Sequence, residues 1–202
     1  MLTRSVVLIG LMGSGKTTAG RRLAKKIGCV FVDTDDVVRE MTGAAVREIF
    51  ERDGEVKFRE YESIALAQIL RDKTPRIIAA AGGVVLADKN RATIEASGAY
   101  VVWLQADTTS LVERAARGAH RPLLDGDAPA TLEEMSIARE KLYAGLADTR
   151  IDTNNQSVTS VAELLFVDLV ANGVVAIDTR DDVQHIAQHI THTNARAHTS
   201  SE

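Results

Sequence analysis

The sequence has a single cysteine, no apolar run long enough to span a bilayer, no internal repeat, and little net charge, −4 at neutral pH. A lone cysteine, Cys29, cannot close an internal disulfide. Its place before Val30, Phe31 and Val32 predicts a buried thiol in a reducing compartment. Met1 to Ser5 leads straight into a strand-like run, with neither a long apolar stretch nor a small-residue cleavage site. A cytoplasmic protein with no membrane partner is therefore expected. The near balance of charge gives no general reason to expect nucleic acid and leaves room for an anionic small molecule.

What is present is ordinary for one main globular domain: 45% apolar and 26% charged residues over 202 positions. Ser5 to Gly10 is a short β-branched run ended by glycine, as suits a strand buried on both faces of a parallel sheet. The same character returns at Val30 to Val32, Arg76 to Ala80 and Ala99 to Leu104. Helix-like segments lie between and after these runs. Ala19, Leu23 and Ile27 share one face of the first, and further helices are predicted over Gly54 to Leu70, Thr131 to Ala147 and Val158 to Val170. Such alternation predicts an α/β fold, a parallel sheet with helices on both sides and its ligands beyond the carboxyl ends of the strands.

The strongest chemical signal is Gly10-Leu-Met-Gly-Ser-Gly-Lys-Thr17 between the first strand and the first helix. In this spacing the glycines let backbone N–H groups close on phosphates, Lys16 reaches the terminal phosphates, and the Thr17 hydroxyl can serve Mg²⁺. The helix that follows points its partly positive N-terminus at the same anions, so Gly13, Ser14, Gly15, Lys16, Thr17 and Thr18 are candidate ATP contacts.

After the second strand, Asp33-Thr34-Asp35 presents two carboxylates one residue apart. In phosphoryl transfer one such carboxylate can hold Mg²⁺ while the other orients an acceptor hydroxyl and takes its proton. The alternative is that they simply start a helix, with Thr34 or Asp35 as its N-cap.

With these residues together, the chain resembles the shikimate kinase family of P-loop small-molecule kinases over about residues 5–169. The motifs fall in family order: the phosphate loop, Asp33-Thr-Asp35, Phe58-Arg59 followed by Glu62, Gly82-Gly83, Arg121-Pro-Leu-Leu124, Arg139 followed by Leu142-Tyr143, and Asp152-Thr-Asn154. The resemblance implies a three-layer P-loop kinase fold, related to that of nucleoside monophosphate kinases. It also implies transfer of the γ-phosphate of ATP to the 3-hydroxyl of shikimate, a step toward chorismate and the aromatic amino acids, with ATP and Mg²⁺ as cofactors.

The resemblance implies individual roles as well. Asp35 would hold the acceptor hydroxyl and act as base, Asp33 and Thr17 would serve the metal, and Arg59 and Arg139 would grip the substrate carboxylate with planar forks. Glu62 would brace Arg59, and Gly82 and Gly83 would bring the backbone close to the substrate. Arg121 would close over the phosphates from a lid spanning residues 115–130. Arg114 and Asn154 would border the adenine. Taken singly, the arginines read equally as surface ion pairs and the glycine pair as a turn.

Two features depart from the family. Ala81 stands where three consecutive glycines are usual, adding a methyl beside the nucleotide and substrate sites. Beyond the kinase domain expected at 1–172, residues 173–202 form an extension, expected to be partly disordered, about which the resemblance says nothing. His185, His189 and His192 recur at helical spacing there, as either a solvated tail helix or a metal-binding face. His120 reads as an exposed loop residue. The chain is expected to be a monomer. Besides shikimate, a different polyol acid such as gluconate, or ATP binding without transfer, are the rival readings.

Overall fold

The computed structural model describes residues 1–116 and 127–176. Five strands, β1 (Val6–Ile9), β2 (Val30–Asp33), β3 (Arg76–Ala79), β4 (Tyr100–Gln105) and β5 (Thr149–Asp152), form one parallel sheet in the order β2-β3-β1-β4-β5. Seven helices alternate with them: α1 (Lys16–Ile27), α2 (Thr34–Thr42), α3 (Val46–Arg71), α4 (Asp88–Ser97), α5 (Thr108–Ala116), α6 (Ala128–Leu146) and α7 (Val158–Ala171).

Side chains on a strand point alternately to its two faces, and β1 divides the core accordingly. Val6 and Leu8 pack with Leu23 of α1 and Leu165 and Leu169 of α7, whereas Val7 and Ile9 pack with Leu66 and Ile69 of α3 and Leu132 and Tyr143 of α6. Both faces of β1 are thus covered, which is why the run is continuously apolar. A third, separate cluster joins Val38 of α2 to Ile49, Phe58 and Ala65 of α3.

The four expected strands and all four expected helices are present, within a few residues of their expected limits. Helix α3 begins eight residues before Gly54 and is broken there, where φ is 78° and ψ 172°, so the expected helix is its second limb. Helix α2 is the helix that the Asp33-Thr34-Asp35 turn was alternatively read to start, whereas α4, α5 and strand β5 were not expected. Helix α4 buries only Asn90 and Ile94, and edge strand β5 buries only Ile151, so neither carries a strong periodic signal.

One expectation is corrected. Cys29 is half-buried rather than buried, because β2 is an edge strand; burial still pushes its thiol above the ordinary value. The expected loop over 115–130 is helical at both described ends. Helix α5 runs to Ala116, and α6 starts at Ala128 because Asp127 caps it, accepting from Ala130 N at 3.0 Å with Pro129 in the first turn. Packing also continues past the boundary expected at residue 172. Val174 and Val175 are buried, Leu2 bridges Val175, and Ala176 N donates to the Met1 carbonyl at 2.9 Å. The rest of the extension, with His185, His189 and His192, and His120 lie outside the described residues. Among the described residues no helix is long and apolar enough to cross a membrane.

Candidate active site

The carboxyl end of β1 runs into the phosphate loop. Gly10, Gly13 and Gly15 take φ values of 137°, 83° and 95°, the left-handed region in which a side chain is strained. A Cβ on Gly10 would also run into the Leu104 carbonyl, and one on Gly13 would come within 3.0 Å of the Leu111 carbonyl. The loop delivers Lys16, Thr17 and Thr18 as the first turn of α1, where backbone N–H groups have no partner within the helix. Lys16 Nζ donates to the Gly10 and Leu11 carbonyls at 2.8 and 2.9 Å. Ser14 Oγ is, among the described residues, the buried side-chain oxygen without a hydrogen-bond partner. A polar cradle with an unsatisfied hydroxyl fits a polyphosphate.

Thr17 Oγ1 donates to Asp33 Oδ2 at 2.7 Å, joining two residues expected to serve a metal. Asp33 Oδ1 accepts from Asp35 N at 3.0 Å, so Asp33, rather than Thr34 or Asp35, is the N-cap of α2. The helix-capping and metal-site readings therefore fall on one carboxylate. No group of three or more His, Cys, Asp or Glu suited to a metal occurs among the described residues. A hydroxyl and a carboxylate beside a phosphate cradle nevertheless suit Mg²⁺, which takes few protein ligands and completes its shell with phosphate and water oxygens.

The acceptor end is built around two arginines and a buried acid. Glu62, 2% exposed, accepts from Arg59 Nη1 at 2.6 Å, and Glu55 accepts from Arg59 Nη2 at 2.9 Å. Burial pushes the Glu62 carboxyl up to about 7, opposed by the attraction of Arg59; nearby Asp35 raises it further and Arg139 lowers it. Arg139 is buried as well, and its Nη1 donates to the Gly82 carbonyl at 3.2 Å, which also accepts from Tyr143 Oη at 2.7 Å. Burial holds the Tyr143 phenol neutral, at about 12.

The glycine pair serves these arginines directly. A Cβ on Gly83 would overlap the Arg59 guanidinium, and one on Gly82 would lie 3.3 Å from the Gly10 carbonyl and 3.7 Å from Arg139 Nη1. Ala81, the departure from three glycines, does not have positive φ, so its methyl needs no strained backbone. Its N–H donates to Thr34 Oγ1 at 2.8 Å, and the residue lines the cavity.

At the base end, Arg114 donates to Thr153 Oγ1 at 3.0 Å and to the Thr153 carbonyl at 2.5 Å, which sets its guanidinium against the wall of the cavity. Asn154, expected beside it, does not line the cavity: its Oδ1 accepts from Asp107 N at 2.9 Å and ties the loop after β5 to the start of α5. Thr153, Gln156 and Val158 form the wall instead. Arg121 lies outside the described residues.

One cavity of about 600 Å³ joins these parts, from Arg114 and Thr153 past Lys16 and Thr17 to Asp35, Arg59 and Arg139. Sequence reasoning missed Val46 and Phe50 in its acceptor wall, because they come from the unexpected first limb of α3. Phe50 packs on Phe58 with ring centroids 4.7 Å apart, and the Arg59 guanidinium lies 5.4 Å from the Phe58 ring centre. Gln156 and Val158 were missed because only the fold brings them to the same cavity as the phosphate loop.

The chain is similar to known proteins over most of its length. The family model described as shikimate kinase matches residues 12–170. The shikimate kinase of Moorella thermoacetica is 43% identical over 158 residues, covering 78% of this chain and 90% of that protein. The shikimate kinase of Thiobacillus denitrificans is 37% identical over 177 residues, covering 86% and 96%. Among solved structures, shikimate kinase from Acinetobacter baumannii in complex with shikimate superposes with a TM-score of 0.79 at 32% identity, covering 84% of this chain and 94% of that one.

Proposed function

The chain belongs to the shikimate kinase family, and on that premise we propose that it transfers the γ-phosphoryl group of ATP to the 3-hydroxyl of shikimate. The observation that carries this reading is that one cavity has a phosphate loop at one end and, at the other, a carboxylate beside two arginines. An ATP-binding module without an acceptor has no use for the second end.

In this mechanism the loop N–H groups and Lys16 bind the ATP phosphates, Lys16 exchanging the Gly10 and Leu11 carbonyls for phosphate oxygens. Thr17 and Asp33 would hold Mg²⁺, which would supply positive charge to offset that of the phosphates. Arg59 and Arg139 clamp the acceptor carboxylate and so fix the direction of its 3-hydroxyl. Asp35 accepts the hydroxyl proton as the new O–P bond forms and the bond to the ADP oxygen breaks. The guanidinium of Arg114 lies against the base, with Thr153, Gln156 and Val158 as the rest of that wall. Arg121 closing over the phosphates belongs to the same proposal. The same proposal takes the enzyme to be a cytoplasmic monomer, one chain supplying both ends of the cavity.

A coupled assay with shikimate and a panel of small polyol acids tests the reading. ADP release that depends on shikimate is expected, with Asp35→Asn removing most of it, a loss of about 10²- to 10⁴-fold. Activity with gluconate and none with shikimate would overturn it.

A further inference from the structure

We propose that Thr34 is a positioning residue that registers the two carboxylates of the Asp33–Asp35 turn against the glycine turn holding the acceptor arginines. The inference rests on the kinase reading above. Thr34 stands between Asp33, which faces Thr17, and Asp35, which lines the acceptor end, and it is fully buried. Its Oγ1 accepts from Ala81 N at 2.8 Å and donates to the Ala79 carbonyl at 3.4 Å.

The place of this hydroxyl in the sheet explains its importance. The β2–β3 ladder ends at the Asp33–Ala79 pair, and the next main-chain donor after β3, Ala80 N, serves the Leu8 carbonyl of β1 on the other side. Beyond that pair the Thr34 hydroxyl carries the connection between the two strand ends. Ala81 then opens the turn in which its carbonyl accepts from Val84 N at 3.0 Å, the Gly82 carbonyl receives Arg139 and Tyr143, and Gly83 makes room for Arg59. One hydroxyl thus sets where Asp35 stands relative to both arginines.

In-line transfer is sensitive to such registration, since a displacement of about 1 Å in a positioned group costs on the order of a hundredfold in rate. Valine at this position keeps the branched shape but leaves Ala81 N–H without its acceptor. Serine keeps the acceptor.

The test compares wild type, Thr34→Val and Thr34→Ser, each assayed well below its own unfolding temperature. Thr34→Val is expected to lower kcat for shikimate phosphorylation by about tenfold to a hundredfold. Its equilibrium Kd for ATP should stay within about twofold of wild type, and the ATP hydrolysed per shikimate phosphorylated should rise. Thr34→Ser is expected to restore kcat to within about threefold of wild type. Active wild type with an undiminished kcat in Thr34→Val, a Thr34→Ser variant as impaired as the valine, or ATP binding weakened in proportion to kcat would overturn the role of Thr34. A wild type that leaves shikimate unphosphorylated would instead overturn the kinase reading beneath it.

Discussion

The guanidinium of Arg59 occupies the space that a side chain on Gly83 would need. Gly83 has φ −86° and ψ −9°, which any residue adopts, so the requirement for glycine is steric and comes from the arginine. Gly83→Ala should fold normally, push Arg59 away from Glu62, and raise the KM for shikimate by about tenfold with the KM for ATP little changed. Steady-state kinetics with each substrate varied would check this, and an unchanged shikimate KM would refute it.

Glu62 makes stability depend on pH. Its carboxyl is raised from 4.5 to about 7, by burial first, against the pull of Arg59. The folded state therefore holds this proton more tightly than the unfolded chain. The stabilising contribution is complete below pH 4.5 and is lost as pH rises through about 7. Relative to Glu62→Gln, which does not titrate, the wild type should lose on the order of 2–4 kcal/mol across that window in denaturant unfolding. A difference that stays flat with pH would contradict the assignment.

Asp33 has two duties that substitution separates. Asparagine still caps α2 but carries no charge for a cation, whereas alanine does neither. Asp33→Asn should raise the Mg²⁺ concentration for half-maximal activity at an almost unchanged Tm. Asp33→Ala should raise it as well and also lose about 1 kcal/mol of stability, a fall in Tm of about 2–4 °C. Equal Tm values for the two variants would show that the cap is unimportant.

At Arg139 charge alone is insufficient. The side chain is buried and one arm is engaged by the Gly82 carbonyl, leaving the rest of the fork for a carboxylate. Lysine keeps the charge but cannot make both contacts. Arg139→Lys should raise the shikimate KM by about tenfold or more with equilibrium ATP binding unaffected, and kinetics close to wild type would argue against a bidentate grip.

Much of the candidate site was legible because its signals are local. The phosphate loop is contiguous, and its glycines are fixed by their own dihedrals. Arg59 and Glu62 lie three residues apart on a helix, so their pairing follows from helical geometry. Arg139 and Gly82 are 57 residues apart, and no local rule places one on the other. The glycine pair was expected to clear space for the ligand, whereas in the fold the Gly83 side-chain position is taken by a protein arginine.

The elements that sequence reasoning missed are those whose burial is slight. Edge strand β5 has one buried residue, so its alternation is weak, and the first limb of α3 is cut from the second by Gly54. With that limb went Val46 and Phe50. Which residue of a short loop faces a cavity depends likewise on the turn: Asn155 has φ 54°, and the neighbouring Asn154 Oδ1 accepts from Asp107 N.

By itself, the sequence determined that this chain binds phosphate and, through the order of its motifs, which family it belongs to. Both depend on residue type and short spacing, which the chain carries however it is folded. Tertiary structure alone decided which face each side chain shows the others: that Thr34 meets Ala81, that Gly82 receives two donors from α6, and that Ala81 keeps an unstrained backbone. Those relations join strand ends and helices distant in sequence, and only closure of the sheet and burial of its two faces bring them within hydrogen-bond distance.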